Sequence, residues 1–258
     1  MDGLEVRQRL AVAEFVLETA GTFNLVAPVL STLSYAVRVA TLNERPLSTS
    51  QIAEMLEMDR HAVRRGLRAL EGMGWIVDRD GWTCAPRNSR VVRSPHRWGQ
   101  RVCILKRAGD RLNGRPPRAL KSGKVTDHEY KIFSEAFIAV MRPAVGPAPT
   151  RFDDAFILSA CTISTWGRNR LGLGKISTAC RLPRTSVNRR LQELISRRWV
   201  ERHGEAYVIA PELDASPEQR ERLARRVQGI QRALADLEAA DRASQEEQHD
   251  LSNKMDIY

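Results

Sequence analysis

The chain has 258 residues, 42% of them hydrophobic, which suffices for two cored domains of ordinary size and marks a soluble globular protein. A formal charge of +10 favours a polyanionic partner, and no uninterrupted apolar run approaches membrane-spanning length. The N-terminal MDGLEVRQRLAVAEF mixes charged with apolar residues, so no signal peptide is visible and the expected location is cytoplasmic. Cys84, Cys103, Cys161 and Cys180 form no Cys-x-x-Cys pair, which argues against a zinc knuckle and a secreted disulfide framework. No cofactor or metal site is expected.

From Leu4 to about Ala20, Val6, Leu10, Ala13 and Leu17 recur at spacings that suit an amphipathic helix. A second apolar stripe, Val29, Leu30, Leu33, Val37 and Ala40, starts at Pro28 and predicts a supporting helix ending near Asn43. Ser48 and Gln51 make a capping box for a short helix with Ile52, Ala53 and Leu56 on its apolar side. After a turn at Glu57-Met58, Asp59 caps a helix in which Val63, Leu67 and Leu70 face inward. Arg60, His61, Arg64, Arg65 and Arg68 then face out. Trp75-Ile76-Val77, Asp80-Gly81 and Trp82 predict two short strands joined by a type I′ turn, a hairpin that Pro86 ends.

The run Ile52-Ala53-x-x-Leu56-x-Met58-x-Arg60-x-Ala62-Val63-x-x-x-Leu67-x-x-Leu70 resembles the winged helix-turn-helix of bacterial regulators of the MarR, IclR and GntR type. The resemblance covers the module and implies duplex DNA as partner, the second helix as the major-groove reader and the hairpin as the wing. It also implies a small-molecule effector, although no motif in the chain draws a pocket for it.

Between Arg87 and Lys124 stand twelve basic residues against Asp110 alone, a balance of +11 that accounts for the whole excess charge. This segment reads either as a solvated linker or as an arm along DNA phosphates, whose counterions it would release. Its apolar runs, Val91-Val92 and Val102-Cys103-Ile104-Leu105, fit strand or helix, and no fold is assigned to residues 87–124. Thr126 caps a helix reaching Met141, with Ile132, Phe133, Ala136, Phe137 and Val140 as its buried side. Gly146, Pro147 and Pro149 then mark the boundary between halves.

The second half repeats the first at an offset of 124 residues: Ile52 falls on Ile176, Arg60 on Arg184, Val63 on Val187, Leu67 on Leu191, Leu70 on Leu194 and Trp75 on Trp199. Leu33, Val37 and Val39 fall on Ile157, Cys161 and Ile163. In this copy Pro183 replaces the Asp59 cap, and the outward face becomes Arg184, Thr185, Asn188, Arg189 and Gln192. The second wing has its bend at His203-Gly204. Beyond Ser216, a capping box opens a helix whose Leu223, Val227, Ile230, Leu234 and Leu237 form a short heptad seam, suited to its own domain or to a dimer. From Asp241 a polar, frayed tail is expected.

The expected class is therefore mainly α with short β-hairpin wings: two winged helix-turn-helix domains plus terminal helices. The divisions are 1–90 (N-terminal helix and first module), 91–149 (basic connector with a helix near 126–141), 150–211 (second module), and 212–258 (amphipathic helix and polar tail). Gly172-Leu173-Gly174-Lys175 lacks the rest of a phosphate-loop pattern, Asp127-His128-Glu129 suits capping better than metal binding, and no catalytic motif supports an enzyme. The expected function is sequence-specific binding of double-stranded DNA by a transcriptional regulator, dimeric through its terminal helices. Arg60, His61, Arg64, Arg65 and Arg68 read in the first module, and Arg184, Thr185, Asn188 and Arg189 in the second. Arg79 and Arg202 are the wing contacts. A plasmid-type replication initiator on origin repeats and a tandem winged-helix protein-interaction scaffold are the alternatives; the basic outward faces argue against the scaffold.

Overall fold

The structure is a computed structural model that describes residues 2–22, 28–85, 95–119, 125–141 and 153–255, with the side chains of 28, 95–98, 214, 244 and 247–255 left aside. The proposed hairpin end at Pro86, the basic residues Arg87, Arg90, Arg93, Lys121 and Lys124, and the Gly146–Pro149 boundary lie outside the described residues.

In the first half, α1 (Gly3–Gly21) is capped by Asp2, whose carboxylate accepts from the Glu5 N–H, and is followed by α2 (Pro28–Leu42). α3 (Thr49–Leu56) carries the expected capping box: the Gln51 N–H donates to Ser48 Oγ, and the Ser48 N–H donates to Gln51 Oε1 at 2.8 Å. α4 (Arg60–Gly72) starts where Asp59 accepts from the Ala62 N–H at 2.8 Å. Strands β1 (Ile76–Asp78) and β2 (Trp82–Cys84) pair antiparallel, with Asp78 opposite Trp82. That register corrects the expected two-residue turn to a loop of Arg79, Asp80 and Gly81. The pairing closes early because the Trp82 N–H is already bonded to the Leu47 carbonyl at 2.9 Å.

The second half has α7 (Asp153–Trp166), α8 (Leu173–Cys180), α9 (Arg184–Ser196), β3 (Val200–His203) and β4 (Ala206–Ile209). α3 and α8, and α4 and α9, begin and end at positions 124 apart. The backbone repeats too: Glu57 and Arg181 both close their helices with positive φ, 50° and 53°. So does a side-chain link. Thr41 Oγ1 donates to the Val37 carbonyl and accepts from the Cys84 N–H at 2.9 Å, while Thr165 Oγ1 donates to Cys161 and accepts from Ile209 at 2.8 Å. This places each hairpin root on its supporting helix. The second hairpin is one residue longer, with His203 in the ladder opposite Ala206, so the bend is Gly204-Glu205 and not His203-Gly204.

Around these two units lie α5 (Pro95–Leu112), α6 (Asp127–Met141), the short α10 (Pro211–Ala215) and α11 (Pro217–Met255). α5 makes residues 95–112 a helix, which the short apolar runs alone do not decide. It turns Val102, Leu105, Ala108 and Leu112 into the core. The frayed tail from Asp241 is also corrected: α11 runs on to Met255, and Asp241 pairs with Lys106 at 3.0 Å.

The packing does not follow the expected division into 1–90 and 150–211. α1 packs most extensively on α7, in the other half, and α6 reciprocally packs on α2. α5 lies against α1 as α11 lies against α6. One hydrophobic cluster runs through both halves, with Phe15, Tyr35, Phe133 and Phe137 among its members. The heptad seam of α11 is used inside the chain: Leu223, Val227, Ile230 and Leu237 are buried there, so this seam is not free to join a second chain. Among the described residues no helix is long and apolar enough to cross a membrane.

Candidate nucleic-acid interface

The inward residues of α4, Val63, Leu67 and Leu70, are fully buried, and those of α9, Val187, Leu191 and Leu194, are buried in the same register. Helical geometry then forces the intervening residues outward. Arg60, His61, Arg64, Arg65 and Arg68 are all exposed on α4, and Arg184, Thr185, Asn188 and Arg189 on α9. Arg79 and Arg202, in or beside the hairpins, are exposed as well.

Two grooves lie at corresponding places. In the first half Thr49, Arg60, His61, Arg64, Arg68 and Trp82 line one between the start of α3, the outer face of α4 and the hairpin. In the second half, Lys175, Arg184, Asn188, Arg202, His203 and Tyr207 line its counterpart. Neither groove includes Arg65, Arg79, Thr185 or Arg189, which stand exposed outside the lining.

Most of these cations are held by nothing else. Among the described residues, Arg60, Arg64, Arg65, Arg184 and Arg189 have no hydrogen-bond or ion-pair partner. Arg68 differs: it donates to Glu71 at 2.6 Å and lies over the Trp82 ring, and the Glu71 hydrogen bond and charge raise its guanidinium pKa above the ordinary value. Arg202 donates to the Gly204 carbonyl at 2.9 Å and lies over Tyr207. Both are pre-positioned on aromatic faces. Comparison of the chain with family models, curated proteins and solved structures finds no match.

The basic connector is a different matter. Arg101 is buried and donates to Thr22 Oγ1 at 2.8 Å, Arg107 and Arg111 pair with Glu18 at 2.7 and 2.6 Å, and Arg118 pairs with Asp110 at 3.0 Å. These arginines fasten α5 to α1 and to its own following loop. Lys106, Arg107, Arg111 and Arg118 are thus answered by carboxylates within the chain and Arg101 is held by Thr22, so these five serve packing, while Arg87, Arg90, Arg93, Lys121 and Lys124 lie outside the described residues.

Lys175 and Arg170 were not among the expected contacts. Lys175 stands in the first turn of α8, and Arg170, whose Nη1 donates to the Ser164 carbonyl at 3.1 Å, joins it in the second groove. The signal for Lys175 was its repeat position, opposite Gln51 at the start of α3. Gly172-Leu173-Gly174 does serve as a helix start, with Gly172 as an N-cap that supplies no side chain.

Proposed function

We propose that the chain is a transcriptional regulator that binds double-stranded DNA sequence-specifically through two winged helix-turn-helix modules, α2–β2 and α7–β4, working in the cytoplasm. The observation that carries this reading is the pair of corresponding grooves, with unpaired Arg60 and Arg64 on the second helix of the first, unpaired Arg184 on that of the second, and an aromatic-backed arginine in each. Arginine recognises guanine edges and asparagine adenine edges in the major groove, and the remaining cations meet phosphates. With α1 and α6 exchanged between halves and the α11 seam covered, one chain stands where a two-chain regulator would, and covers two half-sites. The half-sites differ because Arg64 in one face is Asn188 in the other.

Selection of bound fragments from random duplex DNA tests the proposal, with native mass spectrometry of the complex for stoichiometry. One chain on an imperfect inverted repeat is expected, with affinity falling steeply in salt, by a log–log slope of about −0.9 per phosphate neutralised. Recovery of no preferred sequence, or binding indifferent to salt, would overturn it.

A further inference from the structure

The two halves differ most in the charge around their reading helices. From 44 to 59, the turn and helix that lead into α4, Glu44, Glu54, Glu57 and Asp59 stand against Arg45, a balance of −3. At the matched positions 168 to 183, leading into α9, Arg168, Arg170, Lys175 and Arg181 stand against no acid, a balance of +4. The reading helices do not reverse in this way: α4 carries four arginines against Glu71, and α9 three against Glu193.

The wings invert as well. Asp78 stands opposite Trp82 in the first ladder and Arg202 opposite Tyr207 in the second, so the ring keeps its place while its strand partner changes from carboxylate to guanidinium. The cation over Trp82 comes from α4 instead: it is Arg68, answered by Glu71 at 2.6 Å and by the nearby Asp78 charge. At the position of Arg68, α9 has exposed Gln192, and the cation over Tyr207 is Arg202. Arg202 donates to the Gly204 carbonyl at 2.9 Å and meets no carboxylate among the described residues, while Glu201 is taken by His203 at 3.0 Å.

Arg170 and Lys175 are brought to the same rim. The Tyr207 N–H donates to the Leu171 carbonyl at 3.0 Å, which ties the turn before α8 to the wing. Arg170, Lys175 and Arg202 are all exposed and line the second groove, where Glu205 is the one acid among the described residues. Lys175 has no hydrogen-bond or ion-pair partner among the described residues. Its counterpart Gln51 is spent on the α3 cap, where Oε1 accepts from the Ser48 N–H, and Arg170 falls on Pro46. In the first groove Arg60, Arg64 and Arg68 all come from α4, and the wing contributes Asp78.

We infer, resting on the DNA-binding reading proposed above, that the two halves divide the work. The second grips the phosphate backbone through Arg170, Lys175 and Arg202, and the first holds its half-site through the base edges that Arg60 and Arg64 meet. A cation on the rim of a groove neutralises a phosphate whatever the sequence, whereas an arginine on the reading helix is matched only where guanine stands. The first wing, with Asp78 and Asp80 on either side of Arg79, adds little hold on phosphate. The chain docks on duplex DNA by its second half and chooses its register chiefly by its first.

Binding of the full chain to its own selected duplex, measured between about 50 and 200 mM salt, tests this. Lys175→Gln, which copies the first half, is expected to flatten the log–log slope by about 0.9, and Lys175→Gln with Arg202→Gln by about 1.8. Both should weaken binding alike across a panel of singly substituted sites, with the circular dichroism spectrum and melting temperature kept. Arg79→Gln is expected to move the slope by less than about 0.3, and Arg60→Ala to lose discrimination at one base pair. An unchanged slope in the double variant, a flattening by Arg79→Gln equal to that by Lys175→Gln, or uniform weakening by Arg60→Ala would overturn the division. If the wild-type chain selects no sequence, the DNA-binding reading fails and the division with it; if it selects a site with a steep slope that the double variant leaves unchanged, the division alone fails.

Discussion

Arg190 and Asp154 face each other across two buried hydrogen bonds, Nε to Oδ1 at 2.9 Å and Nη2 to Oδ2 at 2.7 Å, at the positions where the first half has Gly66 and Leu30. Arg190 also pairs with Glu193. The pair locks α9 to α7. In the first half α4 instead meets α2 by close approach, for any side chain at Gly66 would run into Leu33. The same helix packing is thus made once by charge and once by a missing side chain.

Breaking the pair leaves an arginine without its main counter-ion in the core. Asp154→Ala is expected to cost about 3–5 kcal/mol in urea unfolding, whereas Asp154→Leu combined with Arg190→Met should return most of that loss, because both charges go together. Equal stability of single and double variants would show that the ion pair is not what holds the two helices.

Thr41 and Thr165 each take one hairpin N–H on a helix hydroxyl. Replacing Thr165 by valine keeps the shape and removes the acceptor, so a cost of about 1–2 kcal/mol is expected. Amide hydrogen exchange reads the local effect: the Ile209 N–H should lose protection, while Cys84 in the first hairpin keeps its own. Unchanged Ile209 exchange would mean that the hairpin root is held by other interactions.

Within the proposed function, Arg64→Ala and Asn188→Ala alter corresponding positions of the two reading faces. Each is expected to weaken binding by about 1–3 kcal/mol, the value of one bidentate hydrogen-bond pair to a base, and to relax selection at a different position of the site. Quantitative binding to a panel of singly substituted sites distinguishes this from a weakening uniform over sequences, the mark of a residue that meets phosphate.

Cys161 and Cys180 are fully buried, and burial raises both thiols above their ordinary range, with each other's proximity adding to the shift at Cys180. A thiol whose pKa is raised in the folded state contributes stability that is complete below its unfolded value and lost as pH rises past it. With an unfolded value of about 8.5, two such thiols should lower stability by about 2 kcal/mol between about pH 8.5 and 9.5. A Cys161→Ala, Cys180→Ala double variant should lose that part of the slope. Cys84, half-buried, is expected to react with a thiol reagent in the native protein long before either of them.

The periodic spacing of apolar residues, the Ser48 and Asp59 caps and the offset of 124 were enough to bound α3, α4, α8 and α9 and to turn the basic residues of both second helices outward. These follow from short-range rules, since a helix's buried face and its ends are set by residues three or four positions apart. Which partner each face meets is not a local property. Only the tertiary structure decided that α1 crosses to α7 and α6 to α2, that the connector arginines are bound to Glu18 and Asp110, and that the α11 seam is covered from within. It also decided that Tyr35 fills a space which Ser159 leaves open. A tyrosine and a serine at matched positions look unremarked in a sequence, and differ in packing only when the helices around them are brought together.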